Sequence, residues 1–292
     1  MTGLVNAEEL QQMIADDSPV IVDCRYRLDQ ADAGEQAYQV SHIPGAHYAH
    51  LGRNLAGAGS ASAGRHPLPD PGRFVALLRR FGAGQDRPIV IYDDAAGLIA
   101  LRFWWLCRWL GFDHVRLLDG GWQAWLHRGD TSRELPDTES AEVSADYQLR
   151  PHLAVNSAEL KRELAQDQCL LIDARAAGRY CGEVEPIDPI AGHIPGAVNR
   201  PTDANLDANG KFLPADLLRQ QFLELMAGKT PQQVIHSCGS GVSACHNLFA
   251  MELAGLTGSR LFAPSWSGWI AESGNRYVRG DGRDETGLLT IS

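Results

Sequence analysis

One passage of this chain is written twice. Val20-Ile21-Val22-Asp23-Cys24-Arg25 and Leu170-Leu171-Ile172-Asp173-Ala174-Arg175 are apolar runs of strand length that each close on Asp-x-Arg, 150 residues apart. His42-Ile43-Pro44-Gly45-Ala46 recurs at 193–197, an offset of 151, and Trp122-x-x-Trp125 recurs as Trp266-x-x-Trp269, an offset of 144. Collinear matches of this kind mark a duplicated unit. They place a first copy at 1–130, a linker at 131–151, a second copy at 152–280 and a tail at 281–292. The stretch 129–151 is polar and rich in Asp, Glu, Ser and Pro, as an exposed connection should be. A length of 292 residues suits two domains.

Within each copy, short β-branched runs alternate with helical patterns. VIVDC and PIVIYD read as strands in the first, and CLLID and QVIHS in the second. The segments PGRFVALLRRFG, IALRFWWLCRWLG, PADLLRQQFLELMAG and VSACHNLFAMELAG read as helices. Such alternation predicts an α/β fold: two tandem domains, each a mostly parallel central sheet flanked by helices. Ligands of such sheets bind outside the carboxyl ends of the strands.

With 26 Lys and Arg against 36 Asp and Glu, the net charge is −10, which disfavours nucleic acid and anionic membranes as partners. The N-terminal stretch is acidic and amphipathic, without the basic and apolar regions of a secretory signal, and points to the cytoplasm. Six cysteines with no CxxC pair fit a reducing compartment. No motif calls for a cofactor or a metal.

The chemistry lies where the copies differ. A gap-free alignment at offset 144 sets Asp94 of the first copy on Cys238 of the second, and Gly97 on Gly241. A lone cysteine is by default a small buried hydrophobe. Here, however, Cys238-Gly239-Ser240-Gly241-Val242-Ser243-Ala244 joins the carboxyl end of a strand to a helix start. Two glycines let such a loop curl its N–H groups inward as an anion cradle, and the helix N-terminus adds to it. Both favour a thiolate nucleophile. The duplication thus predicts one working site, at Cys238, and one retired site.

The loop Cys238-Gly239-Ser240-Gly241-Val242-Ser243-Ala244-Cys245-His246, the paired HIPGA, the Asp-x-Arg strands and the Trp-x-x-Trp motifs together resemble a tandem rhodanese-type sulfurtransferase. The resemblance covers nearly the whole chain. It implies an enzyme whose Cys238 accepts sulfane sulfur as a persulfide and passes it to a thiophilic acceptor: cyanide, a thiol or a thioredoxin-like reductant. Gly239, Gly241, Val242, Ser243 and Ala244 would then bind the substrate's sulfur through their main chain. Cys-Gly-Ser-Gly resembles enzymes that use 3-mercaptopyruvate, whereas thiosulfate-using members resemble Cys-Arg-Lys-Gly. By the same resemblance Ser240 assists at the sulfur, His66 in Gly64-Arg65-His66-Pro67-Leu68-Pro69 completes a proton relay, and Arg179 holds the donor's charge by its forked guanidinium.

One position departs from the pattern. A second arginine is expected in a Glu-Pro-Arg segment, and this chain reads Glu185-Pro186-Ile187-Asp188. Either Arg53, Arg65 or Arg200 substitutes for it, or the donor is a different one, which leaves a thiosulfate:cyanide sulfurtransferase as the alternative. The motifs present in both copies, Asp23-x-Arg25, Asp173-x-Arg175, His42, His193 and the four tryptophans, read as scaffold, with Trp266 also a candidate wall of the active loop. Cys24, Cys107, Cys169 and Cys181 read as packing residues, and the C-x6-C-H spacing of Cys238, Cys245 and His246 matches no zinc pattern. A cysteine phosphatase would need arginine at Ala244. A non-enzymatic redox or sulfur-binding module would use the same thiol through its oxidation.

Overall fold

The computed structural model describes residues 3–16, 19–84, 87–136, 147–281 and 288–291. The middle of the expected linker and most of the expected tail lie outside them. The strands, in chain order, are β1 (Leu4–Val5), β2 (Val20–Asp23), β3 (His47–Tyr48), β4 (Ile89–Tyr92), β5 (Val115–Leu118), β6 (Ala154–Val155), β7 (Leu170–Asp173), β8 (Ala197–Asn199), β9 (Val234–Ser237), β10 (Arg260–Phe262), β11 (Arg276–Val278) and β12 (Leu288–Thr290). The helices are α1 (Ala7–Asp16), α2 (Ala33–Val40), α3 (Leu51–Asn54), α4 (Pro71–Arg80), α5 (Ala100–Trp109), α6 (Gly121–Leu126), α7 (Ser157–Ala165), α8 (Ala177–Tyr180), α9 (Ala215–Met226), α10 (Ala244–Leu253) and α11 (Ser265–Trp269). None is long and apolar enough to cross a membrane.

Two five-stranded sheets follow one order, β1-β5-β4-β2-β3 and β6-β10-β9-β7-β8, and every pairing in both is parallel. The α/β architecture expected from strand and helix alternation is therefore present twice. Parallel sheets are covered on both faces, so their central strands carry unbroken apolar runs. β4 (Ile-Val-Ile-Tyr) and β9 (Val-Ile-His-Ser) are buried at every position. The helices that follow them are buried on nearly all sides: α5 at every residue except Arg108, α10 from Ala244 through Met251. Local signals start other helices. Pro71 and the Asp70 side chain, which accepts the N–H of Arg73, open α4, and an Asn156–Glu159 capping box opens α7.

The described residues fall into two compact units, one drawn from 1–57, 68–151 and 208–211, the other from 58–67, 152–207 and 212–292. Arg65 and His66 therefore pack with the second unit, although they lie in the stretch of sequence assigned to the first copy. The segment is held on α11. Arg65 N–H donates to Ser267 Oγ at 3.1 Å. Gly64, at φ +82°, lies so close to the chain that a Cβ there would stand 2.5 Å from Pro264 O.

The duplicated motifs form one latch in each unit. The Arg25 guanidinium clasps Asp23, donates to Ser41 O at 2.7 Å and lies 4.4 Å from the Trp122 ring. Arg175 does the same with Asp173, Gly192 O at 2.7 Å and Trp266 at 4.9 Å. His42 stacks on Tyr38 and His193 on Tyr180, each with Nδ1 against the tyrosine's own carbonyl. These residues join the strand end to the turn before HIPGA, which explains why both copies carry them.

Candidate active site

Cys238 follows the last residue of β9 and is 2 % exposed. Its N–H donates to Ser265 Oγ at 3.1 Å, and its carbonyl accepts the N–H of Trp266 at 2.9 Å. Ser265 sits at φ +51°, a region that favours glycine, and the matching residue of the first unit is Gly121 at φ +55°. Its hydroxyl, which also donates to Phe262 O, anchors the cysteine's backbone. Trp266 is buried, so it supports the loop through its main chain while its ring covers Arg175.

The loop then turns back on the sulfur. Gly241 N–H donates to Cys238 Sγ at 3.1 Å. Gly241 adopts φ +74°, and a Cβ there would stand 2.4 Å from Ala263 O, so only glycine fits this turn. Gly239 accepts the N–H of Ser267 through its carbonyl. Val242 is buried, Ser243 holds the N-cap position of α10 without a side-chain capping bond and Ala244 opens the helix, which aims its N-terminus at the loop. Ser240 Oγ and His66 Nδ1 share a hydrogen bond of 2.8 Å.

The first unit corrects the gap-free alignment. In the sheets, Asp23 pairs with Tyr92 while Asp173 pairs with Ser237, so the residue at the place of Cys238 is Asp93 and not Asp94. Matching hydrogen bonds agree: Asp93 O accepts the N–H of Trp122, as Cys238 O accepts that of Trp266. The loop of the first unit is one residue longer, which shifts the offset from 145 on the strand to 144 at Gly97. Asp94 points away and pairs with Arg27 at 2.8 Å. Asp93, fully buried, fills the loop with its own carboxylate. Oδ1 accepts from the N–H groups of Ala95 and Gly97, and Oδ2 from those of Ile99 and Ala100. Burial raises the pKa of this carboxyl, against the four N–H groups that favour its ionised form.

Cations flank the loop of the second unit. A Cβ on Gly239 would lie 3.1 Å from Arg65 Nη2 and 3.6 Å from Arg179 Nη1 and Nη2. Arg65 is thus the expected substitute that reaches the cysteine loop. Arg53 instead pairs with Glu35 at 2.5 Å in the first unit, and Arg200 is buried against Asn205, Gln221 and the Phe222 ring. Ile187 is 43 % exposed. Two carboxylates that sequence reasoning passed over organise the arginines. Glu185 accepts from Arg179 Nη2 at 2.7 Å and from Arg175 Nη1 at 3.4 Å, and it also accepts the N–H groups of Ile187 and Asp188. Asp188 bridges, with Oδ1 on Arg65 Nη1 and Oδ2 3.2 Å from Arg179 Nη2. Burial pushes the Glu185 carboxyl up, but the Arg179 guanidinium and the N–H groups of Asp188 and Ile187 outweigh it and lower its pKa, whereas burial raises that of Asp188. The signal for both residues was the acidic composition of the segment where an arginine was sought.

Cys245 and His246 serve packing. The Cys245 thiol donates to Gly241 O at 3.5 Å, and His246 stacks on Phe212 and meets Asn205. A buried thiol that accepts the N–H of Gly241, a hydroxyl joined to an imidazole and two guanidinium groups beside Gly239 can together hold an anion, attack its sulfur and move a proton.

The rhodanese-like domain family matches the chain twice, at residues 6–128 and 156–272. A probable 3-mercaptopyruvate sulfurtransferase of Pseudomonas aeruginosa is 44% identical over 95% of this chain and 98% of its own length. A putative thiosulfate sulfurtransferase, SseB of Mycobacterium tuberculosis, is 36% identical over 95% and 97%. The crystal structure of SseA from Escherichia coli, a 3-mercaptopyruvate sulfurtransferase, superposes with a TM-score of 0.78 at 29% identity and covers 91% of this chain and 99% of that one.

Proposed function

The chain belongs to the rhodanese-like family and is a sulfurtransferase, and we propose that it takes sulfur from 3-mercaptopyruvate through a persulfide on Cys238. The observation that carries the reading is the convergence of Gly241 N–H on Sγ with Arg65 and Arg179 beside Gly239. Asp93 supports it from the other unit. Its carboxylate rests on the N–H groups of Ala95, Gly97, Ile99 and Ala100, and Gly241, Ser243 and Ala244 occupy the places of the last three in the second unit. These N–H groups would hold the thiolate and then the outer sulfur of the persulfide, with Gly239 and Val242 shaping the loop.

The donor's carboxylate would lie across Arg65 and Arg179, whose planar forks suit it. The Cys238 thiolate attacks the donor's sulfur, a Sγ–S bond forms, and the donor's C–S bond breaks with its electron pair left on C3 as the enolate of pyruvate. The donor's own thiol proton, passed through Ser240 and His66, ends on C3. Pyruvate departs and the persulfide remains as an anion. An acceptor nucleophile, such as cyanide, a small thiol or a thioredoxin-like reductant, then bonds to the outer sulfur as the S–S bond breaks and the thiolate returns. The six cysteines include no CxxC pair, which suits the reducing, cytoplasmic setting we infer.

Incubation with 3-mercaptopyruvate should add one sulfur atom to the intact protein by mass spectrometry and release pyruvate. Cys238→Ser should do neither. Sulfur uptake retained by that variant, or none by the wild type, rejects the mechanism.

A further inference from the structure

Asp188 is 3 % exposed at its side chain and touches both arginines that stand beside Gly239. Its contacts complete a linear network: Asp173, Arg175, Glu185, Arg179, Asp188, Arg65. Three guanidinium groups alternate with three carboxylates, so the cluster as a whole is neutral. Burial this deep normally costs a carboxylate its charge unless partners hold it. Asp188 has two such partners, and both face the loop that carries the nucleophile.

A donor lying over Gly239 meets the outward nitrogens, Nη2 of Arg65 and Nη1 of Arg179, while Asp188 stands behind them and subtracts one charge. The subtraction weighs more heavily on a dianion than on a monoanion, because Coulomb energy scales with the donor's own charge at the low effective dielectric of a half-buried site. Thiosulfate is a dianion. A 2-oxo carboxylate with a protonated thiol is a monoanion. Position 188 is also one residue past Ile187, where the arginine expected from the sequence is missing. The segment thus supplies a negative charge where a positive one was expected, and the positive charge comes from Arg65.

We propose that Asp188 is a specificity-determining residue that sets the charge of the donor site so that monoanionic carboxylate donors are favoured over thiosulfate. The inference rests on the sulfurtransferase reading of Cys238 and adds to it the residue that selects the donor. Discrimination by a repulsive element is a general route to specificity. Asp188 acts through Arg65 and Arg179 and touches no reacting atom.

The test is the ratio of kcat/KM for thiosulfate to that for 3-mercaptopyruvate, measured to cyanide in the full-length protein. Asp188→Asn keeps the shape and removes the charge. It should raise the ratio by about tenfold or more, the effect of roughly 1.4 kcal/mol of differential binding. Asp188→Glu keeps the charge and disturbs the geometry, so it should stay near the wild-type ratio even where both turnovers fall. Partial misfolding lowers both activities together and leaves the ratio alone. An Asp188→Asn ratio within about twofold of wild type overturns the proposal while leaving the Cys238 reading intact, and so does a wild type that prefers thiosulfate. A wild type that forms no persulfide from either donor removes both.

Discussion

Asp93 and Cys238 stand at the same point of their two sheets, one residue past the central strand, and each directs its side chain into the loop that follows. In the first unit the loop closes on a carboxylate that belongs to the chain. In the second it closes on the Cys238 sulfur, which accepts the N–H of Gly241. The first unit's loop is thus tied to an internal carboxylate of its own chain.

Replacing that anion should therefore cost stability. Asp93→Ala leaves three buried N–H groups and the half-buried one of Ala95 without their acceptor and should lower the unfolding free energy of the first unit by at least about 3 kcal/mol. Denaturant unfolding checks this, and a loss below about 1 kcal/mol would show that the N–H groups find other partners.

The Ser240–His66 hydrogen bond implies a donor-dependent effect. A relay is needed only where the donor carries a thiol proton. Ser240→Ala and His66→Gln should each reduce persulfide formation from 3-mercaptopyruvate by about a hundredfold, and the double variant by scarcely more. Thiosulfate, which brings no such proton, should suffer much less. Equal losses with both donors, followed by stopped-flow sulfur transfer, would rule out the relay.

Gly64 carries Arg65 and His66 onto α11 at a point with no space for a side chain. Gly64→Ala adds a methyl group that would stand 2.5 Å from Pro264 O at a positive φ, so the segment must shift. Turnover should fall at least about tenfold, because small displacements of positioned groups are costly, while the melting temperature changes by only a few degrees. Unchanged kinetics would place the two side chains outside the site.

His236, fully buried in β9, is pushed down to about 3 by burial, with Arg200 as the second cause. It stays neutral in the fold, whereas in the unfolded chain it gains a proton below its ordinary value of 6.5. Its contribution is thus complete above that value and is lost as pH falls through the range down to about 3. The slope is about 1.4 kcal/mol per pH unit. His236→Leu should flatten the acid limb of the stability curve by that amount between about pH 6 and 4, as measured by urea unfolding at fixed pH.

Much of this was legible in the sequence because duplication separates roles. What both copies share, Asp-x-Arg, the histidine of HIPGA and the first tryptophan of each pair, forms one latch per unit, and the cysteine that only one carries lies at the loop. The alignment erred by a residue because the insertion lies inside the loop after Asp93, where Ala96 takes a positive φ, and leaves the flanking strand and helix patterns unbroken. Arg65 could not be told from Arg53 or Arg200 by spacing, since the path of 58–67 is a tertiary fact. Glu185 and Asp188 were missed because acidic residues read as evidence against an anion site, when here they are the ion-pair partners of the arginines.

Residues 58–67 belong to the first copy by sequence and to the second unit by packing. A gene trimmed to its later portion would encode Cys238 and Arg179 but lose Arg65 and His66, along with the glycine that seats them. Such a chain would keep the thiol, while the Ser240 hydroxyl would lose its imidazole partner and Asp188 one of its two guanidinium partners.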